Sequence, residues 1–173
     1  MCKNLLKNFQ VLVLFSILGS SLLGKVILSP NDDIVLVGSG MGSRMIHYGH
    51  FETEVYLHHS KLDLKIRNLC DEGNTPGFRP HPSRNQEEQY AFPGAKDLIH
   101  QSLKAVTKPQ GHFPTPDQWL SNLHAEVILC FFGFNSSFDG PRETKRFKSE
   151  LDAYIKHLNS MPFGQRAATR SIA

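Results

Sequence analysis

Three short segments of this 173-residue chain gather the residue types that can hold or attack a small substrate. Gly38-Ser39-Gly40-Met41-Gly42 offers a serine hydroxyl between glycines. Cys70-Asp71-Glu72-Gly73-Asn74-Thr75 offers a thiol, two carboxylates and a glycine whose backbone N–H can approach a ligand closely. Gly133-Phe134-Asn135-Ser136-Ser137 offers a carboxamide and two hydroxyls. A serine acts as a nucleophile only with a base within hydrogen-bond reach. N–H donors assist only when they converge on the oxygen that gains charge. The chemistry therefore depends on the elements that bring these segments together.

Each segment follows a predicted strand. Ile34-Val35-Leu36-Val37 is a continuous apolar, mostly β-branched run, as expected of a parallel strand buried on both faces. Residues 64–68 alternate and read as a second strand, and residues 125–132 form the clearest strand of the chain. Helices are expected over 43–60, over 96–106 with Leu98, Ile99 and Leu103 inward, and from Thr115-Pro116-Asp117, where Thr caps and Pro takes the first helical position. Pro141 opens an amphipathic helix to about residue 159, with Phe147, Leu151, Tyr154, Ile155 and Leu158 on one face and Lys145, Lys148, Glu150 and Lys156 on the others. Residues 70–94, rich in Gly and Pro, read as a long loop, and 164–173 as an open tail. This order specifies an α/β domain with a parallel sheet. Ligands of such sheets sit outside the carboxyl ends of the strands, where the three segments lie.

Composition narrows the partners. Nineteen Lys and Arg against sixteen Asp and Glu give a net charge of +3, with no basic stripe interleaved with aromatics, so no nucleic-acid partner is expected. Lys3 and Lys7 precede an apolar run over 11–23 that ends among Gly19, Ser20, Ser21 and Gly24. This is the order of a secretory signal, which assigns residues 1–24 to a leader and 25–173 to one exported domain, periplasmic or secreted, or anchored if the leader stays. The run is short of the ~20 residues that span a bilayer. Cys2 falls in the leader, and Cys70 and Cys130 are expected as free buried thiols, with a disulfide as the alternative. No C-x-x-C or C-x-x-C-H occurs, so neither a zinc ribbon nor a covalent haem is expected; no cofactor or metal is implied.

Gly38 and Gly40 after a strand match the start of a dinucleotide fingerprint, but position 43 is Ser and the second strand ends in Arg67-Asn68 without an acidic residue for the ribose. Taken together, the three segments resemble the blocks of the SGNH (GDSL-type) hydrolases over residues 33–170. Gly38-Ser39-Gly40 stands at the nucleophile block, Gly73-Asn74-Thr75 at the glycine block and Gly133-Phe134-Asn135 at the Gly-x-Asn block. The stretches Gly49-His50-Phe51-Glu52-Thr53-Glu54, 68–81 and 131–135 are similar to a bacterial branch of the family, whose larger members carry haem-binding and cytochrome-like modules.

The resemblance implies a three-layer, flavodoxin-like fold and hydrolysis of an acyl or acetylated-carbohydrate ester. It also implies an oxyanion hole from the Gly73 N–H and the Asn135 carboxamide. The family's nucleophile position falls on Gly40, leaving Ser39 or Ser43 as the nearest hydroxyl. No Asp-x-x-His appears after the last predicted helix, where the family carries its closing block, which reads as a C-terminally truncated domain. Arg79 and His81 in the long loop are candidates for an anionic or sugar group. A non-catalytic sugar- or ester-binding domain, or an inactive remnant, is the first alternative, and a dinucleotide-binding domain the second. Oligomeric state is left open.

Overall fold

The computed structural model describes residues 26–164 and 170–172. The leader expected over 1–24 lies outside them. Strand β1 (Asp33–Gly38) lies at the centre of a four-stranded sheet, all parallel, in the order β2-β1-β3-β4. Here β2 is Lys65–Asn68, β3 is Val127–Phe131 and β4 is Arg170–Ile172. The register pairs Leu36 with both Asn68 and Leu129.

The apolar run of β1 explains its central place. Val35 and Val37 face one core, with Leu120, Ile128, Tyr154 and Leu158, while Ile34 and Leu36 face another, with Leu64, Ile66, Cys70 and Val127. Helices α3 (Pro116–Asn122) and α5 (Thr144–Ser160) supply the first core. Helix α2 (His50–His58) covers the second through half-buried Phe51 and Val55. The expected α/β class with a parallel sheet is observed. Among the described residues no helix is long and apolar enough to cross a membrane.

Four local expectations are corrected. The helix expected over 43–60 begins earlier and is broken: α1 is Gly40–Arg44, a single 3-10 turn follows at Met45–His47, and α2 starts after Gly49, whose φ of 61° is left-handed. The helix expected over 96–106 is only a 3-10 turn, Ala95–Asp97. Local side-chain bonding competes with helix there, since His100 Nδ1 pairs with Ser102 Oγ at 2.6 Å. Beyond it, Gln89 holds both the N–H and the carbonyl of Val106. The tail read as open carries β4, so the edge of β3 is paired rather than bare. Glu150, expected on an outward face of α5, is fully buried beside Tyr154 and Leu158.

The capping expectation at α3 holds in full. Thr115 Oγ1 accepts from Gln118 N, and Gln118 Oε1 accepts from Thr115 N, with Pro116 at the first helical position. Gly133, with φ of 110°, ends β3 as expected and turns the chain into the short α4 (Phe134–Ser137).

Candidate functional site at the carboxyl ends of the strands

The three segments singled out in the sequence meet at one end of the sheet. Ser39 N donates to Phe131 O at 2.9 Å and Asp71 N donates to Gly38 O at 3.0 Å, tying the loops after β1, β2 and β3. Two carboxamides complete the seam: Asn74 Nδ2 donates to Gly38 O at 3.1 Å, and Asn135 Nδ2 to Asn74 O at 3.1 Å. Asn68, at the end of β2, donates through Nδ2 to Gly42 O and accepts from Cys70 N through Oδ1. The position where a dinucleotide site needs an acidic residue is thus spent on fastening α1 to the loop after β2.

Close approach explains two of the glycines. A Cβ on Gly38, whose φ is 153°, would stand 2.3 Å from Phe131 O. A Cβ on Gly42 would stand 2.3 Å from Cys70 Sγ and 3.2 Å from Phe131 Cβ. The loops touch because these residues have no side chain.

The individual candidates fall in different places. Ser39 is fully buried and its Oγ donates to Phe131 O at 3.3 Å, so its hydroxyl points into the seam. Ser43 Oγ donates back to Gly40 O at 3.1 Å, within α1. Gly40 and Asn135 line a mostly apolar cavity of about 460 Å³ with Met41, Arg44, Glu72, Phe131, Phe132 and Phe134. Gly73, exposed and at φ of 88°, lies in a second, smaller cavity of about 220 Å³ that Asn135 also lines. Asn135 therefore stands between the two, and Phe131 and Phe132 are half-buried walls of the larger one.

Arg79 and His81 lie behind the loop after β2, in a cavity of about 270 Å³ shared with Leu69, Asp71, Asn74, Arg84 and Trp119. The Arg79 guanidinium lies 4.6 Å from the Phe132 ring centre and 5.0 Å from that of Tyr154. His81 stacks on Phe113 with centroids 3.7 Å apart. Burial, then the Arg84 guanidinium, holds the His81 imidazole below its ordinary pKa, with Asp71 opposing. Arg84, which the sequence did not single out, donates to Pro114 O and Arg79 O, both at 2.8 Å. Burial, then Arg79, brings its pKa down to about 10.

Cys70 and Cys130 are free, as expected, and burial pushes both thiols up to about 12 against the pull of Arg79. Thiols held protonated in this way are poor nucleophiles. Asp71 and Glu72 are exposed on the turn, and His58 sits at the surface end of α2, 3.4 Å from Glu54. No group of three or more metal-ligating side chains occurs among the described residues.

The long loop over 70–94 owes its order to buried polar side chains that no sequence pattern announced. Glu150 accepts from Thr75 Oγ1 at 2.5 Å, Gly77 N at 2.8 Å and Arg146 Nη1 at 3.0 Å. Arg146 also meets Asp139 and Glu143. Gln89, fully buried, accepts from Val106 N through Oε1 and turns its Nε2 to the carbonyls of Val106, Arg84 and Asn85, while its own carbonyl accepts from Arg79 N at 2.8 Å. These bonds hold Arg79 and Arg84 in place beneath the strand ends.

Fold and site together define a parallel α/β domain with three loops joined at the carboxyl ends of its strands and cavities on either side of the join. No family model matches the chain, and no solved structure matches it. Over 89 residues it is 28% identical to interferon regulatory factor 8 of Gallus gallus, a match that covers 49% of this chain and 19% of that protein. The chain thus spans about a fifth of the length of that relative, and the match assigns no family.

Proposed function

We propose that this chain is an exported domain of the SGNH type that binds an acyl or acetylated-carbohydrate ester at the carboxyl ends of β1 and β3 without cleaving it. The strand order β2-β1-β3-β4 agrees with the flavodoxin-like arrangement of that reading. The larger cavity is apolar enough to take an acyl group, and Asn135 on its wall is a carboxamide able to donate a second hydrogen bond beyond the one to Asn74 O. The leader-like start of the chain supports export.

One observation carries the choice of binding over hydrolysis. The residue that faces the cavity at the family's nucleophile position is Gly40, and the neighbouring Ser39 hydroxyl is buried against Phe131 O. An ester in this cavity meets the Asn135 carboxamide, the charged side chains of Arg44 and Glu72 and apolar groups, but no hydroxyl poised for attack.

The test measures binding and turnover on the same sample. The full chain is titrated with xylose tetraacetate and assayed for acetate release and for cleavage of p-nitrophenyl acetate. Saturable binding without turnover is the expected result. Turnover above background that disappears in Ser39→Ala would overturn it in favour of ester hydrolysis. Stabilisation by NAD or FAD, with no response to the ester, would favour the dinucleotide alternative.

A further inference from the structure

The cavity beneath the loop after β2 has a charge balance that the protein leaves incomplete. Arg79 is 6% exposed and Arg84 7%, yet neither has a carboxylate within ion-pair distance among the described residues. Arg79 spends Nη1 on the Phe78 carbonyl at 3.3 Å, and its buried Nη2 has no carbonyl or carboxylate acceptor among the described residues. The Tyr154 hydroxyl interacts with Arg79 through charge and a side-chain hydrogen bond, so what this guanidinium lacks is a carboxylate. Arg84 uses Nε and Nη1 on carbonyls, which leaves its Nη2 without an acceptor among the described residues.

Removing a cation from water is costly unless a partner compensates it. The aromatic faces of Phe132, Tyr154 and Phe113 offset part of that. A planar guanidinium fork with a spare arm is the group best suited to an oxyanion. The carboxylates nearby do not fill the role. Asp71 is exposed at the rim, and Glu88 is engaged with Asn85 through both carboxylate oxygens.

We propose that this cavity is a binding site for a monovalent oxyanion, a carboxylate or a sulfate monoester, carried on a sugar-sized ring. Two guanidiniums set against Asp71 leave a single positive charge, which matches one negative charge and penalises two. Trp119, Phe113 and Leu69 form the apolar wall against which the carrier ring packs. His81, half-buried at the mouth, adds a neutral donor or acceptor for a ring hydroxyl. The site is separate from the cavity at Gly40 and Asn135, and the inference rests on its own residues, so it stands or falls independently of the ester-binding reading.

Calorimetric titration of the full chain with glucuronate, glucose 6-sulfate, glucose and inorganic phosphate tests it. Glucuronate and glucose 6-sulfate are expected to bind at least about tenfold more tightly than glucose and than phosphate. Arg79→Met, which keeps the stem and removes the charge, is expected to abolish this binding while the thermal melt stays cooperative. Asp71→Asn, at an exposed position, is expected to tighten it by roughly three- to tenfold, because a like charge is removed from the rim. Equal affinity for glucose and glucuronate, preference for phosphate, or unchanged binding in Arg79→Met would overturn the proposal. If Arg79→Met fails to fold, Asp71→Asn decides: unchanged or weaker binding overturns it.

Discussion

The seam at the strand ends and the long loop beneath it solve the same problem, holding irregular backbone in a fixed place, by opposite means. The seam over 38–42, 68–74 and 131–135 is held by close backbone approach: glycines that admit a neighbouring strand, peptide hydrogen bonds across loops, and two carboxamides. The loop over 75–106 is held by buried charge and polar side chains, chiefly Glu150, Arg146, Gln89 and Arg84. A seam built on contact tolerates no added atom. A loop built on polar bonds tolerates no lost partner, because each orphaned group then keeps its desolvation cost. The first region therefore fails on insertion and the second on deletion.

The largest effect is expected in the seam. Gly38→Ala puts a Cβ 2.3 Å from Phe131 O on a backbone at φ of 153°, and should cost about 5 kcal/mol or more, leaving little soluble folded chain. Gly42→Ala meets the Cys70 thiol instead, so combining it with Cys70→Ala should restore part of the loss in urea unfolding. Recovery at Gly42 with none at Gly38 sharpens the contrast between a side-chain and a backbone clash; equal tolerance at both breaks it.

Next comes the loop's main anchor. Glu150→Ala strips Thr75, Gly77 and Arg146 of a shared acceptor and should destabilise by about 3–5 kcal/mol. Proteolysis within 75–106 should appear before the sheet unfolds. Gln89→Leu, similar in volume but without the bonds to Val106, Arg84 and Asn85, should cost about 2–3 kcal/mol. A loss below about 0.5 kcal/mol in either variant would remove the polar account of the loop.

The smallest effect is alkaline. Burial holds Cys70, Cys130 and Tyr154 protonated, with pKa values pushed up to about 12. A raised folded pKa gives stability that is complete below the unfolded thiol value of 9 and is lost as pH rises toward 12. Urea midpoints should fall progressively above about pH 9, and less steeply in the Cys70→Ala, Cys130→Ala double variant. A flat profile to about pH 11 contradicts the burial of these groups.

The same contrast decides what the sequence could reveal. The apolar run of β1, the capped start of α3, the Gly133 turn and the three glycine-containing segments were legible, because local chemistry and periodicity specify them. Their meeting at the carboxyl ends of a parallel sheet followed from topology. The burial of Glu150 was not legible, since a charge on a helix reads as solvated until a loop from 73 residues away folds over it. Arg84 and Gln89 carry no local period for the same reason: their partners lie in irregular chain. The helix expected over 96–106 gave way to side-chain bonds at His100 and Gln89, and β4 was missed because three residues without an apolar run give a strand no signal of their own. The polar inward face of Ser39 depended on the carbonyl of Phe131, which only the assembled sheet provides.

Whether the joined strand-end loops form a ligand-binding face is read from amide chemical shifts of the isotope-labelled full chain titrated with xylose tetraacetate. Saturable shifts are expected at Gly40, Met41, Phe132, Phe134 and Asn135, with the amides of α2 unmoved. Shifts absent at saturating ester, or confined to residues away from the carboxyl ends of β1 and β3, would contradict it.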